Sequence, residues 1–585
     1  MTQCTPCQTQ VPSSEDWMPP RTPRALPLGQ GNIYPLDEPH AVSVSLPIWD
    51  SVIGLSRKEK WVLDKLEWSY PRFHINKPVQ ELANLVLRRL KITTDCHCMV
   101  FASATAASEC IDAIKKLESE AQDPKSFAET VRFCMPADSN VDGRSGSHYA
   151  DFSAVLLTPN LWKKAMAFWR DTGSGLSTRH AEYILTEIDY LNPDRVGTLE
   201  YQPPALKKRG PCREPPASLT RIQAAESSLL ELRGVLARLA SSDRPGEPPV
   251  QSADVFLYPT GMNAMYSLSE CLADSRSGGT VAAFGWLYPE TVEVLRCGSW
   301  GEVLSYKFGD EKELTDLTKS LRSGRKVHAL FCEFPSNILL SSPDLQKLRE
   351  LADEHGFIIA CDDTVAGFVN LDALPFVDVM VSSLTKTFSG KSNATGGSLV
   401  LNPSSKHRTA LQSALTAYHK NHPIAFFPLD VKTVLDNSRT IVQRIKTCGE
   451  NTLPLVRLLS AHPSIQTVHH PSTAPTSHLY KAMMRKSQTA GYGNVLSIVF
   501  RNLESAKHFY NTLQVCKGSS FGTNFTVAIP YVQLANYWNR DRVPKYGVPG
   551  HIIRISVGLE GAEELQRVVA EALREVDSLE GRSDV

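Results

Sequence analysis

VDVMVSSLTKTFSGKSNATGGSLVLN, residues 377–402, is the stretch that decides the fold. An apolar run from Val377 to Val381 passes into Ser382-Ser383-Leu384-Thr385-Lys386, a Gly-rich turn follows, and a second apolar run begins at Ser398. Lys386 therefore stands where a strand gives way to a loop. Partial withdrawal from water disfavours the charged form of such a lysine and frees its amine as a nucleophile or Schiff-base former. By itself it would read as a solvated loop lysine; its neighbours in the chain argue for a site.

Working outward, Lys326 to Asp363 reads strand, helix, strand: KVHALFCEF is apolar and β-branched, SPDLQKLRELADEHG is helical, and FIIACDD is apolar again. Ser342 is the expected N-cap, Pro343 the first helical residue and Gly356 the stop. This is a βαβ unit of a parallel sheet, and it carries Asp362 to the C-terminal end of a strand. Further upstream, DVFLYPTGMNAMYSL predicts a strand, a tight turn at Pro259-Thr260-Gly261 and a helix with Met262, Met265 and Leu268 on its apolar face. Strand-turn-helix geometry aims backbone N–H groups at an anion, and phosphate is the obvious one.

Together these segments resemble the pyridoxal-phosphate enzymes of cysteine and methionine metabolism, the cystathionine γ-synthase group and its fungal branch in particular. Ser383-Leu384-Thr385-Lys386 with Gly396-Gly397 matches the lysine signature, Asp362-Asp363-Thr364 the aspartate motif, Thr260-Gly261-Met262 the phosphate turn and Glu333-Phe334-Pro335-Ser336-Asn337 a fourth motif. IIRISVGLEG (552–561) is similar to the arginine-bearing strand, Tyr288-Pro289-Glu290-Thr291 to the segment bearing the ring-stacking tyrosine, and Tyr70-Pro71-Arg72 to an N-terminal arm that reaches the neighbouring subunit's cofactor phosphate.

The resemblance implies an α/β protein of PLP fold type I, aspartate-aminotransferase-like: a large domain on a mixed, mainly parallel sheet, a small α+β C-terminal domain, and pyridoxal 5'-phosphate as cofactor. It implies Lys386 as the lysine that holds the aldehyde and moves protons, and Asp362 as partner of the pyridine nitrogen. Tyr288 would stack on the ring. Ser383, Thr385, Thr260, Gly261 and Met262 would hold the phosphate with Tyr70 and Arg72, Asn337 would touch the phenolic oxygen, and Arg554 and Ser520 would bind substrate. The implied reaction is γ-replacement on an O-acetyl or O-succinyl homoserine through a vinylglycine-type intermediate. Cysteine as nucleophile would give cystathionine for methionine biosynthesis; the alternative is a carbon or amine nucleophile in secondary metabolism. A homodimer or homotetramer is implied as well. Three positions depart from the pattern: Lys391 after the lysine, Ser519 where some bacterial γ-synthases carry glutamate, and Asn536 where fungal relatives commonly carry histidine.

The remainder of the chain bounds the reading. At 585 residues it is long enough for two or three domains. Lysine plus arginine and aspartate plus glutamate each number 62, which gives no reason to expect nucleic acid or membrane as partner. Thirteen cysteines and no apolar N-terminal leader point to a reducing, cytoplasmic setting. Cys4 with Cys7, and Cys96 with Cys98, lack a second pair at structural-zinc spacing, so no metal is expected. The expected organisation is a disordered tail over 1–35, the arm over 36–90, a folded insertion and Pro-rich linker over 91–217, the PLP-binding domain over 218–410 and the small domain over 411–585.

Overall fold

The computed structural model describes residues 22–33, 35, 38–92, 94–116, 126–135, 149–196, 217–274 and 278–582. Most of the N-terminal tail, Cys4 and Cys7, and the basic linker at 201–216 lie outside them.

Four strands form the first sheet: β1 (His97–Phe101), β2 (Ala128–Cys134), β3 (Phe152–Leu157) and β4 (Asn192–Val196), in the order β1-β3-β2-β4 with antiparallel pairing throughout. β1 and β3 are apolar along most of their length. β2 and β4 carry too many polar residues to stand out, and Pro193 is tolerated in β4 because an edge strand need not donate at every position. This sheet, with the helices Lys77–Arg89, Trp162–Thr172 and Thr178–Glu187, encloses its own apolar core around Phe101, Phe152, Trp169 and Ile184. Cys98 is buried in that core.

The second sheet has seven strands: β5 (Val255–Tyr258), β6 (Thr280–Phe284), β7 (Glu302–Tyr306), β8 (Ala329–Glu333), β9 (Ile358–Asp362), β10 (Val379–Ser383) and β11 (Gly397–Leu401), ordered β5-β11-β10-β9-β8-β6-β7. Neighbours from β10 across to β7 are parallel, and β11 runs against both β10 and β5. Near-continuous apolar strands suit a sheet covered on both faces, and separate apolar clusters lie on its two sides. In the βαβ unit the helix runs Leu345–His355 and stops at Gly356, whose φ of +77° suits glycine. Its start differs from expectation: Asp344, not Ser342, is the N-cap, because its carboxylate accepts from Lys347 N at 3.0 Å. A turn separates the helices Ala217–Ala225 and Ser228–Ala240, and there Glu226 accepts from the Tyr149 hydroxyl.

The third sheet, β12 (Ile465–His469), β13 (Val495–Phe500), β14 (Cys516–Lys517), β15 (Val527–Pro530) and β16 (Ile553–Ser556), is ordered β12-β13-β16-β15-β14 and is antiparallel except between β14 and β15. The chain does not cross to it at residue 410. Helices Arg408–Asn421 and Pro428–Ser438 still pack on the large domain, and the crossing is made by the helix Ile441–Ala461. Ile441 and Ile445 of that helix join the large-domain core, while Leu455 and Leu459 join the small-domain core.

The N-terminal segment is part of this third body. Trp49 is 2% exposed against Tyr510, its amide donates to Asn511 Oδ1 at 2.8 Å, and Tyr510 Oη donates to Leu46 O at 2.7 Å. Trp49→Ala should therefore lower unfolding stability by about 3–5 kcal/mol, measured by urea denaturation; a change under about 0.5 kcal/mol would mean that the segment is not anchored there.

Candidate active site

The ends of β8, β9 and β10 converge where the large sheet meets the small domain. Glu333 and Asp362 sit side by side at the last register positions of β8 and β9, and Ser383 ends β10. Ser383 N donates to Thr364 Oγ1 at 2.8 Å and Thr364 N donates to Asp362 Oδ1 at 2.8 Å, so the lysine loop and the aspartate are braced by one threonine. Three residues beyond Ser383, Lys386 projects into a cavity of about 1030 Å³ that Tyr70, Arg72, Tyr288, Asp362 and Arg554 also line.

Lys386 Nζ donates to Ser520 Oγ at 2.9 Å and lies 4.2 Å from the centre of the Tyr70 ring. The surrounding protein withholds water from the ammonium, and Arg554 and Arg72 add positive charge; despite the opposing influence of Tyr70, its pKa falls to about 8. Ser520 has a φ of +83°, a conformation rarely adopted outside glycine, and it serves two partners: its hydroxyl meets Lys386 while its carbonyl accepts from Arg554 Nη2 at 2.7 Å. Arg554 Nη1 donates to Asn337 Oδ1 at 3.1 Å, and its guanidinium lies over Phe521 and Tyr531. Burial lowers the pKa of Arg554 to about 10, which leaves it a cation at neutral pH.

Asp362 is pushed up by burial, and Glu333 rises to about 8 through burial and then the charge of Asp362. An acidic pair of this kind favours a cation placed against it. Glu333 also sets its neighbours, one carboxylate oxygen accepting from Tyr288 N and the other from Asn337 N at 3.0 Å. At the opposite end, Gly261 opens the helix Gly261–Asp274. A Cβ there would come within 2.7 Å of Ser383 Cβ, so only glycine lets the turn approach the lysine strand this closely. Gly261, Met262, Ser383 and Arg72 all line the cavity, and turn amides, a hydroxyl and a guanidinium are the donors that a phosphate cradle requires. An electrophilic carbonyl near Lys386, a protonated ring nitrogen at Asp362, a flat ring at Tyr288 and a phosphate in the cradle suit this donor set, and pyridoxal phosphate has all of these features.

Eleven of the thirteen side chains or turn residues expected from sequence line this cavity: Lys386, Tyr288, Asp362, Ser383, Gly261, Met262, Asn337, Tyr70, Arg72, Arg554 and Ser520. Thr260 and Thr385 do not. The Thr260 hydroxyl accepts from Asn263 N at 3.0 Å and donates to Gly173 O at 3.2 Å, while the Thr385 hydroxyl accepts from Gly396 N at 3.1 Å. Both hydroxyls fasten turns. Asn337 turns its amide toward Arg554 and Tyr531.

Tyr70 and Arg72, expected at a neighbouring subunit's site, fold against the Lys386 of their own chain: Arg72 Nη2 donates to Tyr288 Oη at 2.7 Å. Sequence alone also left Glu333, Glu290 and Tyr531 without roles. Glu333 was visible within its motif. Glu290 is buried beside the cavity with its Oε2 unpartnered, and nothing in its spacing distinguishes it from an ordinary residue of a helical first turn.

The fold and this constellation define a PLP-dependent enzyme of fold type I. Residues 250–574 match the family described as Cys/Met metabolism PLP-dependent enzyme, and residues 78–177 match the fungal trans-sulfuration enzyme N-terminal domain. The chain is 38% identical to the cystathionine gamma-synthase-like protein ankD of Aspergillus thermomutatus, covering 94% of both chains. It is 32% identical to the cystathionine gamma-synthase of Neurospora crassa, covering 94% of this chain and 98% of that one. Among solved structures, cystathionine gamma synthase from Xanthomonas oryzae in complex with cystathionine superposes with a TM-score of 0.53 at 20% identity, over 61% of this chain and 88% of that one. The protein belongs to the Cys/Met metabolism PLP-dependent enzyme family, in its cystathionine γ-synthase-like group, and its cofactor is pyridoxal phosphate.

Because Lys386 is shifted downward, its neutral amine should appear above about pH 8 and not near the ordinary lysine value of 10.5. In the cofactor-free protein, site-resolved acylation of Lys386 should rise with pH around that midpoint, and Arg554→Ala should move the midpoint upward. A wild-type midpoint near 10.5 would contradict the electrostatic account.

Proposed function

We propose that the protein catalyses γ-replacement on an O-acylated homoserine, acetyl or succinyl, and that the incoming group is a carbon or amine nucleophile. The observation that carries the reaction type is that Lys386, Asp362, Tyr288 and Arg554 open onto one shared cavity, within a chain of the γ-synthase-like group. Pyridoxal phosphate, when bound, supplies an electron sink that acidifies the C–H bonds next to the amino carbon. Asp362 would keep that sink effective by pairing with the ring nitrogen. Ser383, the amides of Gly261 and Met262, Arg72 and Tyr70 hold the phosphate end.

Arg554, fixed by Asn337 and Ser520, receives the substrate α-carboxylate and so sets the orientation of the bonds at Cα. Lys386, neutral above about pH 8, accepts the Cα proton and shuttles protons to and from the neighbouring carbons. Ser520 Oγ steadies its amine. Tyr288, held as a neutral phenol mainly by burial, would cover the ring face. Transfer of a Cβ proton to Lys386 frees the electron pair that forms the Cβ–Cγ double bond as the acyl carboxylate leaves with the electron pair of the Cγ–O bond, and the nucleophile then adds at Cγ.

The nucleophile reading rests on the cavity lining, where Leu55, Leu63, Phe73, Leu534, Ala535 and Trp538 add apolar surface beside the polar residues, and where Ser519 replaces the glutamate that some bacterial γ-synthases carry. Cysteine, giving cystathionine, is the second reading. It is favoured by coverage of nearly the whole of a relative named for that product.

A competition decides between them: O-acetylhomoserine with cysteine, homocysteine, a β-keto acid and simple amines, with products identified by mass spectrometry. A carbon- or nitrogen-linked adduct is expected to dominate; dominant cystathionine would replace this reading with the second. Lys386→Ala should lower turnover at least about a thousandfold, and wild-type turnover by that variant would remove Lys386 from the mechanism.

A further inference from the structure

Arg72 is 4% exposed and Tyr70 is 6% exposed within one chain, so the arm is already covered without a partner. The cover comes from the insertion. Trp169 Nε1 donates to Pro71 O at 2.9 Å, and Arg72 Nη1 donates to Arg170 O at 2.6 Å, so adjacent residues of one helix grip adjacent residues of the arm. The turn that ends this helix continues to the phosphate cradle: Gly173 O accepts from Thr260 Oγ1 at 3.2 Å, and Asn263 Nδ2 donates to Ser174 Oγ at 3.2 Å. One segment, residues 169–174, thus touches both the arm and the start of the helix that opens at Gly261.

The arm is also closed upon itself. Asn76 Oδ1 accepts from Ser69 N at 2.9 Å and Asn76 Nδ2 donates to Ser69 O at 3.0 Å, pinching off the loop that presents Tyr70 and Arg72. Immediately afterwards the helix Lys77–Arg89 plants Val79, Leu82 and Val86 in the insertion core. Before it, Trp49 is set in the small-domain core. The arm therefore spans from the small domain to the insertion across the mouth of its own cavity, with both ends anchored in apolar cores.

We propose that the insertion does the work of a second subunit: it fastens Tyr70 and Arg72 over the Lys386 of the same chain, so that one chain builds a whole cofactor site. The inference rests on the reading of the Lys386 cavity as the pyridoxal-phosphate site. Trp169 and Arg170 are, on this account, positioning residues that act through the arm.

Complementation between two differently tagged variants, Arg72→Ala and Lys386→Ala, tests it. Each is produced alone and the two are co-expressed, and the doubly tagged species, or the mixture if none forms, is assayed for pyridoxal-phosphate binding by equilibrium dialysis and for turnover. With the site completed within one chain, every chain bears a lesion, and the mixture should match the mean of the separate variants. If arms cross between subunits, a doubly tagged dimer regains an intact site in about half of its positions, and recovery of tight cofactor binding with turnover overturns the proposal. Should Arg72→Ala not fold, Arg72→Lys, which keeps the charge but loses the fork, takes its place.

Trp169→Phe provides a second test. Loss of one hydrogen bond to Pro71 should weaken pyridoxal-phosphate binding about 3- to 10-fold, and unchanged affinity would count against the insertion as the fastening element. Failure of the site reading looks different: Lys386→Ala alone would then show normal turnover, whatever the mixture does.

Discussion

An amine held among cations is the constraint around which the molecule is arranged. Lys386 shares its cavity with Arg72 and Arg554, and its tendency to lose its proton follows from limited access to water reinforced by their charge. Holding its pKa near 8 corresponds to on the order of 3 kcal/mol of added preference for the neutral form. Such an arrangement persists only where other contacts fix the geometry, and these are visible: the Tyr70 ring, the Ser520 hydroxyl and the Thr364 brace on the preceding strand.

Each of those supports comes from a different part of the chain. The large sheet supplies Ser383, Asp362 and Glu333 at neighbouring strand ends, the small domain supplies Ser520 and Arg554, and the N-terminal arm supplies Tyr70 and Arg72. Ser520 is the clearest meeting point. Its left-handed backbone lets a single residue present its hydroxyl to Lys386 and its carbonyl to Arg554. The two groups that would handle the substrate's proton and its carboxylate are thereby placed relative to one another by one rigid turn.

The insertion gives the arm a comparable rigidity. The helix Trp162–Thr172 presents Trp169 and Arg170 to Pro71 and Arg72, and its terminal turn reaches the phosphate cradle. A folded body with its own sheet and core can hold that surface still, which a free loop of the same length could not.

The βαβ unit, the strand-to-loop position of Lys386, the strand end at Asp362 and the glycine turn at Gly261 were all legible in the sequence. Each depends on residues a few positions apart, where the alternation of a strand and the 3.6-residue repeat of a helix leave a pattern. The tertiary structure alone decided that Thr260 and Thr385 spend their hydroxyls on turns, that Glu333 sets both Tyr288 and Asn337, and that the arm returns to its own chain. Those outcomes depend on which distant surfaces meet: Arg72 reaches Tyr288 across 216 positions, and Lys386 reaches Ser520 across 134. Spacing carries no record of such pairings, because they are settled by the packing of whole cores against one another.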